Sequence, residues 1–224
     1  MSETGAQAKP GASRNPATPS IAFWYEFAST YSYLAAFRIE DAAAAAGVGI
    51  EWRPFLLGPL FAKEGLRDSP FNIYPAKGRY MWRDLERLCA RDGLAWRRPT
   101  QFPRSGLLAA RVAVLGVGEG WGPAFSKAVY RANFAEDRDI ASAHTLAEIL
   151  RGIGQEPAFV LDRAQAPAIK DALRAQTAAA EDLGIFGAPS FQVGTEIFWG
   201  QDRLADAVAW AKTARTAKEV RALR

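Results

Sequence analysis

The first strongly apolar stretch of the chain covers residues 21–27, IAFWYEF. Its β-branched and aromatic residues predict a buried strand. Apolar residues at helical spacing and a run of alanines follow, which together predict one helix ending at Gly47. Ile50, Trp52 and Phe55 then alternate with charged residues and predict a second strand that pairs with the first. The chain therefore begins with a βαβ unit.

From about residue 75 to residue 183, the apolar residues recur at helical spacing and predict helices only. The spacing of apolar residues then changes from helical to alternating, and APSFQVGTEIFW at residues 188–199 predicts two short strands. Gly194 and Thr195 form the turn between them, and the leading glycine favours a type II′ hairpin. A last helix is predicted to start near Gln201. The order βαβ, helices, ββα predicts an α/β fold, namely a thioredoxin-like domain with a helical domain inserted between its halves.

This order also predicts domain boundaries. The thioredoxin-like domain is expected to comprise residues 20–57 and 185–224, and the inserted all-helical domain residues 58–184. Residues 1–19 contain three prolines and two glycines but no apolar core, which fits neither a signal peptide nor an ordered element. We expect them to form a disordered tail.

Composition narrows the classes of function. The 224 residues are 49% hydrophobic, which is enough for a substantial core. The net charge of +4 is spread along the chain without a dense Lys/Arg block, so we expect a small anionic ligand rather than nucleic acid. No stretch approaches the roughly 20 apolar residues that span a bilayer. We expect no membrane partner.

Cys89 is the only cysteine in the sequence. An intrachain disulfide, CxxC redox chemistry and a cysteine-based zinc site are therefore excluded. We expect no metal, and the cysteine usage suits a reducing cytoplasm.

Ser29 and Thr30 lie where the first strand becomes the first helix, a place where hydroxyl side chains cap helices. In a thioredoxin-like domain this is also the active-site turn, and the helix dipole there stabilises an anion. A serine nucleophile would need a base, usually histidine, but the only histidine, His144, falls in the helical segment. We predict instead that Ser29 donates a hydrogen bond to a sulfur brought by a ligand and lowers that thiol's pKa.

FGAPSF, residues 186–191, supplies a second candidate feature. An isolated X-Pro bond is usually trans and such a proline often opens an edge strand. In a thioredoxin-like domain, however, a cis bond between Ala188 and Pro189 is expected. It would leave the Ala188 N–H and C=O free to pair with an extended, peptide-like ligand.

FWGQDRL, residues 198–204, is a third candidate, although a glycine followed by polar residues is also a common helix start. The N–H groups of Gln201 and Asp202 could bind a carboxylate, and the Asp202 side chain could hold an ammonium group. In the segment SPFNIYPAKGRYMWRDLERL, charges such as Lys77 commonly form a solvated helix face. The alternative is that Asn72 and Lys77 overhang the active-site turn and hold an acidic substrate.

Five of these segments occur in the order found in a known family: FWYEFASTYSYL, PFLLGPLF, NIYPAKGRYMWRDLERL, FGAPSF and FWGQDRL. Over about residues 21–213 the chain resembles the 2-hydroxychromene-2-carboxylate isomerases and the related kappa-class glutathione transferases. Both groups are built like DsbA, the oxidoreductase that makes periplasmic disulfides. One departure is Thr30, since the family usually has proline after the active-site serine.

The resemblance implies glutathione as the cofactor and a small aromatic carboxylate as the substrate; we also expect a homodimer. It places the active-site serine at Ser29 and the residue before the cis proline at Ala188. The remaining site residues that it implies are, for glutathione, Pro189, Trp199, Gly200, Gln201 and Asp202 and, for the substrate, Asn72, Lys77 and Arg104. The implied reaction converts 2-hydroxychromene-2-carboxylate to trans-o-hydroxybenzylidenepyruvate.

Two alternatives stay open on the sequence. The first is a glutathione transferase or peroxidase of kappa type, which consumes the thiol. The second is a non-catalytic module that binds glutathione in the same groove. A dithiol oxidoreductase is excluded because no second cysteine accompanies Cys89.

Overall fold

The structure is a computed structural model that describes residues 19–222. The tail predicted over residues 1–19 lies outside the described residues except for Pro19. Within the described part, no helix is both long and apolar enough to cross a membrane.

Four strands form one mixed sheet in the order β2-β1-β3-β4. They are β1 (Ser20–Tyr25), β2 (Gly49–Pro54), β3 (Ser190–Val193) and β4 (Glu196–Trp199). β1 is parallel to β2 and antiparallel to β3, and β3 is antiparallel to β4. The predicted pairing of the first two strands is confirmed, and Phe23 lies opposite Trp52. Gly194 has φ 61°, the positive value that the first turn position of the predicted hairpin requires.

Helices fill the rest of the described chain, and most of them lie between β2 and β3. They are α1 (Thr30–Ala36), α2 (Ile39–Ala46), α3 (Leu57–Lys63), α4 (Pro70–Ile73), α5 (Pro75–Asp92), α6 (Leu107–Gly118), α7 (Gly122–Phe134), α8 (Ala143–Gly152), α9 (Pro157–Arg163), α10 (Pro167–Asp182) and α11 (Leu204–Ala222), the last preceded by a 3₁₀ turn at Gln201–Arg203. The order βαβ, helices, ββα is as predicted.

The segment between β1 and β2 differs from the prediction of a single helix. The chain turns at Phe37 and Arg38, and this turn separates α1 from α2. α1 packs on α5 and α7, whereas α2 packs on α11. A straight helix could not reach both sets of neighbours, so tertiary packing overrides the continuous helical pattern. The predicted end at Gly47 is confirmed, since this residue has φ 66° and caps α2.

The two faces of the sheet bury different sets of side chains. Alternate residues of β1, including Phe23 and Tyr25, point into the larger core, which also holds side chains from α5, α6 and α7. On the other face Trp24 packs in a smaller cluster with residues of α3 and α10. Because the larger core is continuous between the sheet and the helical segment, separate cores do not mark the domain boundaries. The predicted division near residues 57 and 185 stays a prediction.

Candidate active site

Ser29 joins the end of β1 to the start of α1. Its backbone is extended, with φ −76° and ψ 113°, and its Oγ accepts a hydrogen bond from the N–H of Ser32 at 3.2 Å. This contact satisfies one of the free N–H groups of the first helical turn. The predicted capping role is therefore confirmed.

The Ser29 hydroxyl also lies against the segment that precedes β3. It donates a hydrogen bond to the carbonyl oxygen of Ala188 at 2.8 Å, and the peptide bond between Ala188 and Pro189 is cis, as predicted. The expectation of a free Ala188 carbonyl is wrong for this structure, because that oxygen accepts the Ser29 proton. A hydroxyl has one proton to donate. Ser29 would have to turn away from Ala188 to serve another acceptor.

Thr30, where the resembling family has proline, points away from the Ala188 side of the turn. It is 1% exposed, and its hydroxyl donates to the Sδ of Met81 on α5 at 3.3 Å. Thr30 therefore ties α1 to α5 and does not offer a second hydroxyl beside that of Ser29.

The segment from Trp199 to Asp202 passes beside the same turn. Gly200 has φ 108° and ψ 148°, a conformation open essentially to glycine alone, and its N–H donates to the Pro189 carbonyl at 2.9 Å. A Cβ at Gly200 would lie 2.5 Å from Oδ1 of Asp202. The backbone conformation requires glycine here, and any larger residue would also displace the Asp202 carboxylate.

Gln201 uses its side chain to hold this segment in place. It is 8% exposed, and its Oε1 accepts a hydrogen bond from Nη1 of Arg38 at 2.6 Å. The first hydrogen bond of the 3₁₀ turn runs from the Arg203 N–H to the Gly200 carbonyl at 3.0 Å. The N–H groups of Gln201 and Asp202 precede that bond, which is the position from which helical N–H groups bind anions.

Trp199 stands at the edge of the site as part of an exposed aromatic pair. The indole is 53% exposed and meets the ring of Phe186 edge to face, with centroids 4.8 Å apart. It lies directly over Gly187, where a Cβ would come within 2.3 Å of the indole Nε1. The pair offers an aromatic surface next to Ala188.

Helix α5 forms the opposite side of the site. The hydroxyl of Tyr31, on α1, donates to Oδ2 of Asp84 on α5 at 3.1 Å. Burial and the neighbouring Asp84 raise the pKa of Tyr31, with smaller contributions from Tyr80 and Asp202. Tyr31 therefore stays protonated at neutral pH and can donate, and Asp202 of the 3₁₀ turn is near enough to affect its pKa. We refer to the space between α1, α5 and the 3₁₀ turn as the opening.

Lys77 lies near this opening through a chain of aromatic contacts. Its Nζ is 6.0 Å from the ring centroids of Phe71 and Tyr74, and the Phe71 ring packs against Tyr31 with centroids 6.2 Å apart. The side chain is exposed. Its role in holding a substrate stays a prediction that this position allows.

Asn72 lies on α4, the short helix before α5, and is directed away from Ser29. Its amide donates to Oδ2 of Asp68 and to the carbonyl of Phe102, each at 3.0 Å. It lines a groove of about 600 Å³ together with Trp82 and Glu86, which lie half a turn around α5 from Asp84. The structure thus does not support Asn72 as a residue that overhangs Ser29.

Arg104 is enclosed in the protein and cannot meet a substrate in this structure. It is 5% exposed, pairs with the carboxylate of Asp137 and donates to Oδ1 of Asn133 at 3.0 Å. The N–H of Thr100, followed by the Arg104 guanidinium, lowers the pKa of Asp137 to about 2. The prediction of Arg104 as a substrate-binding residue is therefore wrong here. Asn133 in turn donates to the carbonyl of Phe27 at 3.1 Å, so Arg104 supports the Ser29 turn indirectly.

The sequence-based prediction missed Glu26, which lies below the turn. It is 9% exposed, and its Oε2 accepts a hydrogen bond from the N–H of Ala28 at 2.8 Å. Burial raises its pKa to about 7, although the N–H groups of Ala28 and Ser29 act in the opposite direction. The available signal was a single carboxylate inside the apolar stretch IAFWYEF, three residues before Ser29.

Residues 20–209 match the family model described as a DSBA-like thioredoxin domain. The chain belongs to this family. The match confirms the predicted thioredoxin-like fold, and within it this DsbA-like chain carries Ser29 and Ala188 where the turn after β1 meets the cis proline. Among its described residues, no group of three or more His, Cys, Asp or Glu side chains is placed to hold a metal.

Individual relatives share most of this DsbA-like chain. It is 29% identical over 187 residues to the 2-hydroxychromene-2-carboxylate isomerase of Sphingobium xenophagum, covering 84% of this chain and 95% of that protein. A structure of 2-hydroxychromene-2-carboxylate isomerase superposes with a TM-score of 0.78 at 21% identity, covering 92% of this chain and 99% of that one. The predicted resemblance to these isomerases is confirmed.

A cytosolic disulfide reductase from Pseudomonas aeruginosa, in a structure with GSH, is also similar to this DsbA-like chain. The TM-score is 0.62 at 17% identity, and the match covers 89% of this chain and 99% of that one. At this identity the likeness concerns the fold. Cys89 cannot supply disulfide chemistry on its own here, because it is buried on α5 and burial raises the pKa of its thiol to about 12.

Proposed function

We propose that this chain is a glutathione-dependent isomerase that converts 2-hydroxychromene-2-carboxylate to trans-o-hydroxybenzylidenepyruvate, or acts on a similar unsaturated aromatic keto acid. The observation that carries the proposal is the Ser29 hydroxyl, 2.8 Å from Ala188 O at the turn where a DsbA-like redox protein has a cysteine. Since this turn has a serine and no cysteine, a thiol would have to arrive with a ligand. The likeness to a named isomerase supports the reaction class.

The donors around the turn fit the parts of glutathione. The N–H groups of Gln201 and Asp202 suit its γ-glutamyl carboxylate, and the exposed Asp202 carboxylate suits its ammonium group. The Ala188 carbonyl is released when Ser29 turns to the sulfur, and it can then accept the N–H of the cysteinyl residue. In this exchange the Ser29 hydroxyl replaces the Ala188 carbonyl with the sulfur, and the carbonyl replaces the hydroxyl with the cysteinyl N–H. Neither group is left without a hydrogen-bond partner.

Each residue has a separate task in the proposed reaction. When bound, glutathione supplies a thiolate that adds reversibly to the conjugated double bond of the substrate, so that the bond can rotate before the thiolate leaves unchanged. Ser29 stabilises the thiolate by donating its proton, and the N-terminus of α1 adds the helix dipole. Lys77 would attract the substrate carboxylate. The exposed rings of Phe186 and Trp199 would pack against the aromatic part of the substrate.

The proposal is tested by following conversion of 2-hydroxychromene-2-carboxylate at a glutathione concentration far below that of the substrate. We expect many turnovers per glutathione and no loss of free thiol. Stoichiometric loss of the thiol would favour the kappa-type transferase or peroxidase instead. Binding of glutathione without any conversion, unchanged by Ser29→Ala, would favour the non-catalytic module.

Replacing Ser29 with cysteine tests where the sulfur of glutathione lies. We expect the Ser29→Cys thiolate to attack glutathione disulfide, forming a mixed disulfide and releasing one glutathione thiolate. Ser142→Cys is a matched control, since Ser142 occupies the N-cap position of α8 with a similar extended backbone, φ −73° and ψ 124°. Because only residue 29 adjoins the proposed site, mass spectrometry should show Ser29→Cys reacting at least about tenfold faster than the control. Equal rates would contradict the placement of glutathione.

A further inference from the structure

The buried carboxyl of Glu26 has no task in the proposed reaction. Glu26 follows β1 directly, and its side chain folds back under the turn that ends at Ser29. Its Oε2 accepts the Ala28 N–H at 2.8 Å, and the Ser29 N–H also stabilises its charge. Within the described part of the chain, these two N–H groups, rather than a cation, oppose the rise in the Glu26 pKa that burial causes.

Neighbouring elements fix the position of this carboxyl. The loop before α6 closes over it, so that a Cβ at Gly106 would lie 3.1 Å from Oε1 of Glu26 and 3.0 Å from Cβ of Phe27. From α7, the Tyr130 hydroxyl donates to the Glu26 backbone carbonyl at 2.9 Å. The carboxyl is therefore buried closely between the turn and the loop before α6.

Few other ionisable groups face Glu26. Tyr130 of α7 stays protonated, because burial, followed by Tyr25 of β1 and Glu26 itself, raises its pKa well above the ordinary value. In the loop before α6 the nearest charge is Arg104, and its guanidinium is directed at Asp137. Burial raises the pKa of Glu26 to about 7, so this carboxyl can exchange a proton at neutral pH.

Glu26 and the proposed thiolate would lie on two sides of one residue. The N–H of Ser29 donates to the Glu26 backbone carbonyl at 3.1 Å and also lowers the pKa of the Glu26 carboxyl, while the Ser29 hydroxyl is the proposed donor to the sulfur. Two negative charges so placed oppose each other, because each disfavours the ionisation of the other. We propose that Glu26 and the thiol of bound glutathione titrate as a coupled pair, in which Glu26 takes up the proton that the sulfur loses.

This inference rests on the proposed function, because it requires glutathione at Ser29. The proton balance is simple: thiol and carboxylate become thiolate and carboxylic acid, with no electron transferred and no net proton released. Glu26 thereby acts as a positioning residue: it holds the turn through the Ala28 N–H, and it becomes neutral when the thiol ionises. When the thiolate forms near neutral pH, the buried Glu26 carboxyl would then be neutral, so the two groups would not both carry a negative charge.

The first test uses the unaltered protein and follows the Glu26 carboxyl carbon by ¹³C NMR while the pH is varied. With glutathione bound, we expect the Glu26 pKa to be higher by about one unit than with S-methylglutathione, which has no thiol. Equal values with the two ligands would overturn the coupling. This measurement does not depend on how a variant folds.

The second test compares Glu26→Gln with Glu51→Gln, a control in β2 at the opposite end of the sheet. The ultraviolet absorbance of the thiolate should show that the thiol pKa of bound glutathione is lower by about one unit in Glu26→Gln and unchanged in the control. Calorimetry in buffers of different ionisation enthalpy should show more protons released on binding by Glu26→Gln than by the unaltered protein.

The outcomes separate the two proposals. If glutathione fails to bind the unaltered protein, the proposed cofactor is wrong and the coupled pair is overturned with it. If glutathione binds and Ser29→Ala raises its thiol pKa while Glu26→Gln leaves it unchanged, the proposed function survives and only the coupling is wrong.

Discussion

Ser29→Ala is expected to raise the thiol pKa of bound glutathione by about one to two units, because a hydrogen bond to a charged group contributes about 1.5–3 kcal/mol. At neutral pH the fraction present as thiolate should fall by about tenfold or more, and isomerisation with it. The measurement is an ultraviolet titration of the thiolate in the bound complex, paired with turnover against pH. The activity lost at neutral pH should partly return at alkaline pH, where the thiol ionises without Ser29.

Two controls separate this effect from a change in folding. Ser29 also caps α1, so its loss should lower the free energy of unfolding by about 1 kcal/mol, which denaturant titration would measure. Thr30→Val removes the neighbouring hydroxyl, which bonds Met81 and does not face the site. It should leave the thiol pKa unchanged. The same thiol pKa in Ser29→Ala and the unaltered protein would refute the role assigned to Ser29.

Gly200→Ala is expected to weaken glutathione binding by more than about tenfold. Its φ of 108° with ψ 148° is strained for alanine by about 1–3 kcal/mol, and the new Cβ would lie 2.5 Å from Oδ1 of Asp202. Relief of the backbone strain would shift Gly200 and with it the N–H groups of Gln201 and Asp202 that directly follow, and the Asp202 carboxylate would have to turn away from the new Cβ. Calorimetry with glutathione and with S-methylglutathione should show the same loss for both, since the change affects the γ-glutamyl end and not the sulfur.

Gly194→Ala is the matched control for Gly200→Ala. Gly194 also has a positive φ, 61°, but a Cβ there would meet nothing within 4 Å, and it lies at the other end of β4. Both variants should lose stability from backbone strain, about 1–2 kcal/mol for Gly194→Ala and about 1–3 kcal/mol for Gly200→Ala. Only Gly200→Ala should lose affinity. Equal affinity in the two variants would contradict the assignment of Gly200 to the binding segment.

The sequence predicted the fold because its elements depend on local signals, and the thioredoxin-like context added the cis bond before Pro189. It did not predict that the Ser29 hydroxyl bonds the Ala188 carbonyl, because these residues lie 159 positions apart in the chain. Strand periodicity, the Gly47 cap and the Gly194 turn are each encoded within a few neighbouring residues. The break between α1 and α2 was not predictable in this way, since it follows from the different partners on which the two helices pack.

The substrate side was predicted less well because it depends on contacts between distant segments. A basic residue such as Arg104 looks like a ligand for an acidic substrate until its partner is known, and that partner, Asp137, is 33 residues away. Asn72 likewise turns to Phe102. Glu26 was overlooked because the sequence does not show that Gly106 leaves its carboxyl just enough room.

The two bonds that join α1 to α5 have a mechanical consequence. Thr30 is anchored to Met81 and Tyr31 to Asp84, so the residues directly after Ser29 are fastened to the helix that forms the opposite side of the opening. A bulky molecule that pushed α5 outward would pull on the same turn that aims the Ser29 hydroxyl. The position of α5 and the aim of the hydroxyl are therefore linked through two side-chain hydrogen bonds, and a substitution that breaks either bond would loosen both.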